Sequence, residues 1–190
     1  MPSGTRYQMG CCARTRAGPA GSLDGVTEAL DALEYRRVVG RFATGVTVVT
    51  TVLDGDDFAL TANSFTSVSL DPFLVLFCPE RVSRFHDAVL ASGTFAVSVL
   101  AEGQQEVSRR FAVRGRPLDG QFDGVPHTRG PVTGSVLMSG ALSTLECRTT
   151  STTDAGDHTV VIGEVLGLGV PSPTAAPLLY YEGRYGAFRP

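Results

Sequence analysis

The chain has 190 residues, 43% hydrophobic and 18% charged, the make-up of one ordinary globular domain and not of a disordered segment. A net charge of −3 leaves no basic excess for nucleic acid, and the longest apolar run, Phe73 to Cys78, is far short of a membrane span. All 16 cationic side chains are arginine, which excludes lysine-dependent chemistry such as P-loop phosphate transfer, Schiff bases and pyridoxal phosphate attachment.

Residues 1–22 read as a loose tail of Gly, Pro, Ser, Ala and Arg, with no apolar core of a secretory signal, ahead of a single domain over residues 23–190. Adjacent Cys11 and Cys12 lie in this tail, and Cys78 and Cys147 end or interrupt strand-like runs. No C-x-x-C spacing occurs, so a reducing cytoplasm is the expected location and no metal site is expected. A helix fits Val26–Phe42, with an apolar stripe of Leu30, Leu33, Val38, Val39 and Phe42, early acids and late arginines. From Gly45 the pattern turns β: Val46–Val52, a turn over residues 54–57, Phe58–Thr61, Ser67–Leu70 and Phe73–Phe77. A short helix over Arg81–Ala91 stops at Ser92-Gly93, and a strand over Phe95–Leu100 and a helix over Glu102–Val113 follow. Residues 114–134 are rich in Gly, Pro and Arg and read as a long loop. The chain then closes with strands over Ala141–Thr149, His158–Val170 and Leu178–Tyr181. Many short strands with helices inserted between them predict a mainly β fold, a closed antiparallel β-barrel with peripheral helices. No G-x-G-x-x-G follows a strand, so a Rossmann site has no support.

Three features could carry chemistry. Thr61-Ala-Asn-Ser-Phe-Thr-Ser-Val-Ser69 concentrates hydroxyls and could hydrogen-bond a flat polar heterocycle or a phosphate; equally, it could be a hairpin whose hydroxyls are satisfied internally. Asp154-Ala-Gly-Asp-His158 sets a carboxylate beside an imidazole, or is simply a turn closed by Asp157. Arginines stand at helix ends, at Ser83-Arg84 and Arg109-Arg110-Phe111, and near the C-terminus at Gly183-Arg184-Tyr185-Gly186. Each could meet an anion or solvent. His86 and His127 read as packing or surface residues, and no G-x-S-x-G elbow is present.

In order, Arg41-Phe-Ala-Thr-Gly-Val-Thr-Val-Val-Thr50, Leu60-Thr-Ala-Asn-Ser-Phe-Thr-Ser-Val-Ser-Leu70, Phe95–Leu100, Arg110-Phe-Ala112, Leu145-Glu-Cys147, Gly156-Asp-His158 and Tyr181-x-Gly-Arg-Tyr-Gly186 resemble the short-chain flavin reductase family. These are the NAD(P)H-dependent reductase partners of two-component flavin monooxygenases, and the resemblance runs from about Tyr35 to Phe188. It implies an FMN-binding split barrel of Greek-key type, FMN or FAD with NADH or NADPH, a partner monooxygenase and a homodimer. The reaction it implies is hydride transfer from nicotinamide C4 to flavin N5, the cofactor carrying the chemistry while the protein aligns the rings.

By the same resemblance, Thr44, Thr61, Ala62, Asn63, Ser64, Ser67, Val68 and Ser69 are flavin-binding candidates. Ser83 and Arg84 are expected near the phosphate, Arg110 and Phe111 on the flavin's far side, and Arg184 and Tyr185 at the border of the cleft. Gly156, Asp157 and His158 match the motif associated with nicotinamide binding, with His158 as the catalytic candidate that positions the nicotinamide. Phe73 stands where the family usually has a second proline after Asp71-Pro72, which should alter the local bend. A 2′-phosphate contact would need an arginine, such as Arg114, Arg116 or Arg129. Two other readings are a split-barrel flavoprotein that keeps its flavin and acts directly on an organic substrate, and a non-enzymatic flavin-binding module.

Overall fold

The structure is a computed structural model and describes residues 31–188. The tail read over residues 1–22, the start of the domain and the first turn of the expected first helix lie outside these residues. Helix α1 (Ala32–Val39) begins at Asp31, whose carboxylate accepts the Glu34 N–H at 3.4 Å. It ends three residues before the expected Phe42, where the Gly40 N–H closes on the Arg36 carbonyl at 2.9 Å. Its apolar stripe is not buried by the described chain: Leu33 is 72% exposed and Phe42 77%.

Strands β1 (Thr44–Gly45), β2 (Thr47–Leu53) and β3 (Asp56–Ala62) follow, rich in the β-branched side chains that suit a pleated sheet. The β2–β3 turn is only Asp54-Gly55, at φ 54° and 91°, so both residues sit in the left-handed region that a tight, strand-matched hairpin requires. Strands β4 (Thr66–Leu70) and β5 (Phe73–Phe77) are joined through a cis Asp71–Pro72 bond. Helix α2 (Arg84–Ser92) is capped by Ser83, whose hydroxyl accepts the His86 N–H at 3.2 Å, and it stops at Gly93, at φ 69°. Then come β6 (Thr94–Val99), a short 3₁₀ turn and α3 (Gln105–Ala112). The segment expected as a plain loop, residues 114–134, carries a short strand, β7 (His127–Arg129), which pairs with β8 (Val136–Met138) just after it. Strands β9 (Ser143–Ala155) and β10 (His158–Gly169) form one long hairpin, and β11 (Leu178–Tyr181) with β12 (Arg184–Ala187) form another.

The main sheet is antiparallel, in the order β3-β2-β6-β9-β10-β5-β4. Phe77 on β5 and Phe95 on β6 are three strand positions apart, which in a flat sheet would separate them by roughly 14 Å. Their ring centroids are 5.0 Å apart, so the sheet curls back over its own inner face. That face is filled by Val49, Val75, Phe77, Phe95 and Val161, and α2 adds Phe85 and Val89. Gly163 on β10 makes room for the Phe95 ring: a Cβ there would lie 2.5 Å from its Cζ. β3 and β4 end the strand order and do not pair with each other, so the barrel is not closed as expected but open along one seam. On the outer face, Val48 and Ala59 pack against Phe111 of α3 and against Val136, Met138 and Leu178. The fold is thus mainly β, a curled antiparallel barrel with peripheral helices. Among the described residues no helix is long and apolar enough to cross a membrane.

Candidate functional site

A cavity of about 490 Å³ opens between the end of β3, the start of α2, the segment after α3 and the first residue of β10. Thr61, Ala62, Asn63, Ser64, Ser83, Arg84, Phe111 and His158 of the candidate residues line it. They come from four stretches of sequence, and the antiparallel register is what gathers them. The remaining candidates stand elsewhere. Ser67, Val68 and Ser69 continue along β4, an exposed edge strand with a register shift at Val68, and Ser69 Oγ accepts the Asp71 N–H at 3.1 Å. Thr44 pairs with Tyr180 in the small sheet, and its buried hydroxyl finds no hydrogen-bond partner among the described residues. Tyr185 and Arg184 lie on the C-terminal hairpin, where the Tyr185 hydroxyl is 2.8 Å from Ser108 Oγ on α3. Gly156 and Asp157 form the β9–β10 turn just outside the cavity, with Gly156 at φ 66°. Arg110 borders an adjacent hollow, where its guanidinium donates to the carbonyls of Asp123 at 2.7 Å and Gly120 at 3.3 Å.

The hydroxyl run divides into two roles. Thr61 Oγ1 donates to the Ser108 carbonyl at 2.7 Å, tying β3 to α3. Ser64 Oγ accepts the Cys78 N–H at 3.0 Å and lies 3.4 Å from the Cys78 carbonyl, clamping the segment after β3 to the end of β5. These two hydroxyls are therefore spent on the protein. Burial raises the Cys78 thiol above its ordinary pKa, and the Ser64 hydroxyl offsets part of that rise.

On the cavity wall, Glu80 and His158 lie side by side as an antiparallel β-bridge. The Arg81 N–H donates to the Asp157 carbonyl at 2.9 Å, and the Thr159 N–H donates to the Pro79 carbonyl at 3.1 Å. The hairpin tip is thus stitched to the chain just before α2. His158 Nδ1 is 2.7 Å from Asp157 Oδ1. A carboxylate can only accept, so Nδ1 carries the proton and Nε2 is the free ring nitrogen. That bond, with the imidazole charge adding to it, lowers the Asp157 pKa.

Sequence reasoning did not place Glu80, Cys78, Val82 or Leu118 on this wall. They carry no motif and reach it only through the fold. Of the arginines considered for a 2′-phosphate, Arg114 and Arg116 line the cavity, whereas Arg129 is held bidentate by Asp57 at 2.5 and 2.6 Å. Arg114 pairs with Glu80 at 2.7 Å. Arg116 sits over the Phe111 ring at 5.1 Å and donates to the carbonyls of Phe111 at 3.2 Å and Val113 at 3.0 Å, and also to that of Ala59. Burial first, then neighbouring Arg84 and Arg110, lower its pKa.

The donor set suits an aromatic ligand bearing a phosphate. The walls Leu60, Phe85 and Phe111 are apolar, and the cationic side is Arg84 and Arg116 beside the capped N-terminus of α2. The carboxylate on the wall, Glu80, is already paired with Arg114. The volume lies within the ~300–1,000 Å³ usual for small-molecule sites.

Comparison with known proteins identifies the family. The reductase subunit HsaB of a flavin-dependent monooxygenase from Rhodococcus jostii is 41% identical over 163 residues, 86% of this chain and 81% of that protein. The NADH-dependent FMN reductase SmoA of Agrobacterium fabrum is 38% identical over 159 residues, 81% of this chain and 84% of its own. The solved structure of the Streptomyces globisporus NADH:FAD oxidoreductase SgcE6, in complex with NAD and FAD fragments, superposes with a TM-score of 0.80 at 42% identity, covering 84% of this chain and 94% of that one. Residues 39–189 match the flavin reductase like domain, and the chain belongs to that family.

Proposed function

We propose that this protein is a nicotinamide-dependent flavin reductase that supplies reduced FMN or FAD to a partner flavin-dependent monooxygenase. One observation carries the reading: the segment Thr61–Ser64, the capped start of α2 and His158 converge on one cavity with apolar walls and a cationic side. The chain's relatives include reductases named for FAD and for FMN, and both names specify NADH. When bound, the flavin supplies the hydride-accepting ring.

The protein's own residues bind and orient. Leu60, Phe85 and Phe111 provide the surfaces against which a flat ring is held and water excluded. Main-chain groups of residues 61–64 offer hydrogen bonds along the ring edge, since the Thr61 and Ser64 hydroxyls are occupied. Arg84 and the α2 N-terminus hold the phosphate, while Ser83 acts as the cap, its hydroxyl donating to the Glu80 carbonyl at 2.7 Å and accepting the His86 N–H. His158, fixed by Asp157, directs Nε2 to the nicotinamide or its amide. No strong acid or base is required of the chain. The exposed Val68, Leu70 and Phe73 at the β4–β5 edge support a second copy packing there, giving a homodimer, and the activity belongs in the cytoplasm, where NADH is maintained.

The test is oxidation of NADH or NADPH, followed by loss of the reduced nicotinamide's absorbance, with FMN, FAD or riboflavin added separately. Turnover that requires added flavin supports the reading. Flavin binding without oxidation overturns it in favour of a binding module, and flavin that stays bound through turnover overturns it in favour of a self-contained oxidoreductase.

A further inference from the structure

His86 lies on α2, faces away from the cavity and is only 8% exposed. A histidine that merely fills space satisfies whichever nitrogen happens to meet a partner. Here both are used. Nδ1 is 2.8 Å from Asp87 Oδ1, and Nε2 is 3.0 Å from Thr159 Oγ1, 73 residues away. Thr159 is 2% exposed, and its hydroxyl also lies 3.4 Å from Asp154 Oδ1. Asp154 in turn is 3.4 Å from the Arg81 guanidinium. The chain Asp87–His86–Thr159–Asp154–Arg81 therefore runs from α2 to the β9–β10 hairpin and back to the segment before α2.

Strand alternation gives this chain its consequence. Successive side chains on β10 point to opposite faces, so the Thr159 hydroxyl turned inward to His86 sets His158 toward the cavity. The Asp87 carboxylate can only accept, so the Nδ1 proton is committed to it and Nε2 is left for Thr159. Thr159 Oγ1 is closer to Nε2 than to Asp154, which makes His86 its main anchor. The backbone bonds on either side, from Arg81 to Asp157 and from Thr159 to Pro79, set the register and so the face each side chain leaves from, and the Thr159–His86 bond adds a side-chain tie that holds this end of the strand against α2.

We propose that His86 is a positioning residue for the nicotinamide end of the site: through the Thr159 hydroxyl it pins the start of β10 to α2 and so holds His158 steady at the cavity. The kinetic consequence rests on the flavin reductase reading, but the structural one does not.

The test compares Thr159→Val, His86→Leu, the double variant and His86→Gln with the parent protein, using steady-state kinetics and hydrogen–deuterium exchange over residues 154–160. Thr159→Val keeps the shape and removes the hydroxyl. It should raise KM for NADH about tenfold, change kcat less than about threefold and leave KM for flavin unaltered. Exchange at His158 and Thr159 should quicken while the thermal midpoint moves little. The double variant should be no worse than either single one, because both remove the same bond. His86→Gln, whose amide can accept the Thr159 hydroxyl, should recover part of the KM. Unchanged KM for NADH and unchanged local exchange in Thr159→Val overturn the proposal, as do independent, multiplying effects in the double variant. If His86→Leu does not fold, Thr159→Val alone decides. If the parent protein oxidises no NADH with any flavin, the functional reading fails, and exchange at His158 still decides the positioning role.

Discussion

Glu80 and His158 pair as an antiparallel β-bridge on the cavity wall, joining the chain before α2 to the first residue of β10. The Glu80 carboxylate meets Arg114 beyond α3, so three distant segments share one contact point beside the site. This junction brings an imidazole into the same space as residues almost a hundred positions earlier. It also sets what individual substitutions should do.

If His158 orients the nicotinamide, His158→Ala removes a contact made to one substrate and not to the other. KM for NADH should rise about tenfold or more and kcat should fall, while the flavin dissociation constant stays within about twofold. Fluorescence titration with flavin and initial-rate kinetics check this. Loss of flavin affinity would place His158 in the other half of the site.

Glu146 is a buried carboxylate that accepts the N–H groups of Val132 at 3.0 Å and Thr133 at 2.6 Å, and the Thr133 hydroxyl at 2.9 Å. Glu146→Ala would strand these donors away from water. A loss of about 3 kcal/mol is expected, with Tm lower by roughly 6–12 °C in a chain of this size. Glu146→Gln keeps one acceptor oxygen and should lose less. A calorimetric scan that leaves Tm of Glu146→Ala unchanged would mean the 130–134 loop does not depend on this carboxylate.

Burial, and secondarily the nearby Glu146 charge, push the Cys147 thiol up to about 12. The unfolded thiol titrates near 8.5. Between those values the unfolded state has lost a proton that the folded state keeps, so the thiol's contribution is intact below about pH 8.5 and falls as pH rises toward 12. Urea unfolding of the parent protein and of Cys147→Ala at pH 8 and pH 10 should show the parent losing more. In the native protein Cys147 should also resist alkylation at pH 8, as read by peptide mapping; prompt labelling there would contradict the burial.

Gly163→Ala would drive a Cβ to within 2.6 Å of two atoms of the Phe95 ring and 3.2 Å of Cys147 Cβ. Both neighbours are fully buried and cannot yield freely. A cost of about 1–3 kcal/mol is expected. Phe95→Leu combined with Gly163→Ala should recover part of it, and a stability equal to the parent's in Gly163→Ala alone would show that the curled sheet has slack at this point.

Much of the local structure was legible because local chemistry dictates it. The β-branched run of β2, the Gly93 stop and the turn at Asp54-Gly55 each follow from neighbours in sequence, whereas α2 begins at Arg84 and not at the expected Arg81, because the Ser83 side chain caps it. The β9–β10 ribbon was read short, ending at Thr149. Residues 150–155 are exposed on the extended hairpin and all but Ala155 are polar, so no burial face imprints an alternation there. The hydroxyl run was legible as a site but not in its division, because whether a threonine meets a ligand or a carbonyl depends on what packs behind it.

The amino-acid sequence by itself determined the mainly β architecture, the absence of lysine from any anion site, and, through its ordered motifs, the flavin reductase family. Only the tertiary structure decided which candidates share a cavity: Thr61–Ser64, Ser83, Arg84, Phe111 and His158 do, while Thr44, Ser67–Ser69, Arg184 and Tyr185 do not. The physical reason is register. Each strand fixes which side its residues face only once its partner is chosen, and those partners, such as β10 with β5 and Glu80 with His158, lie roughly eighty residues apart in the chain.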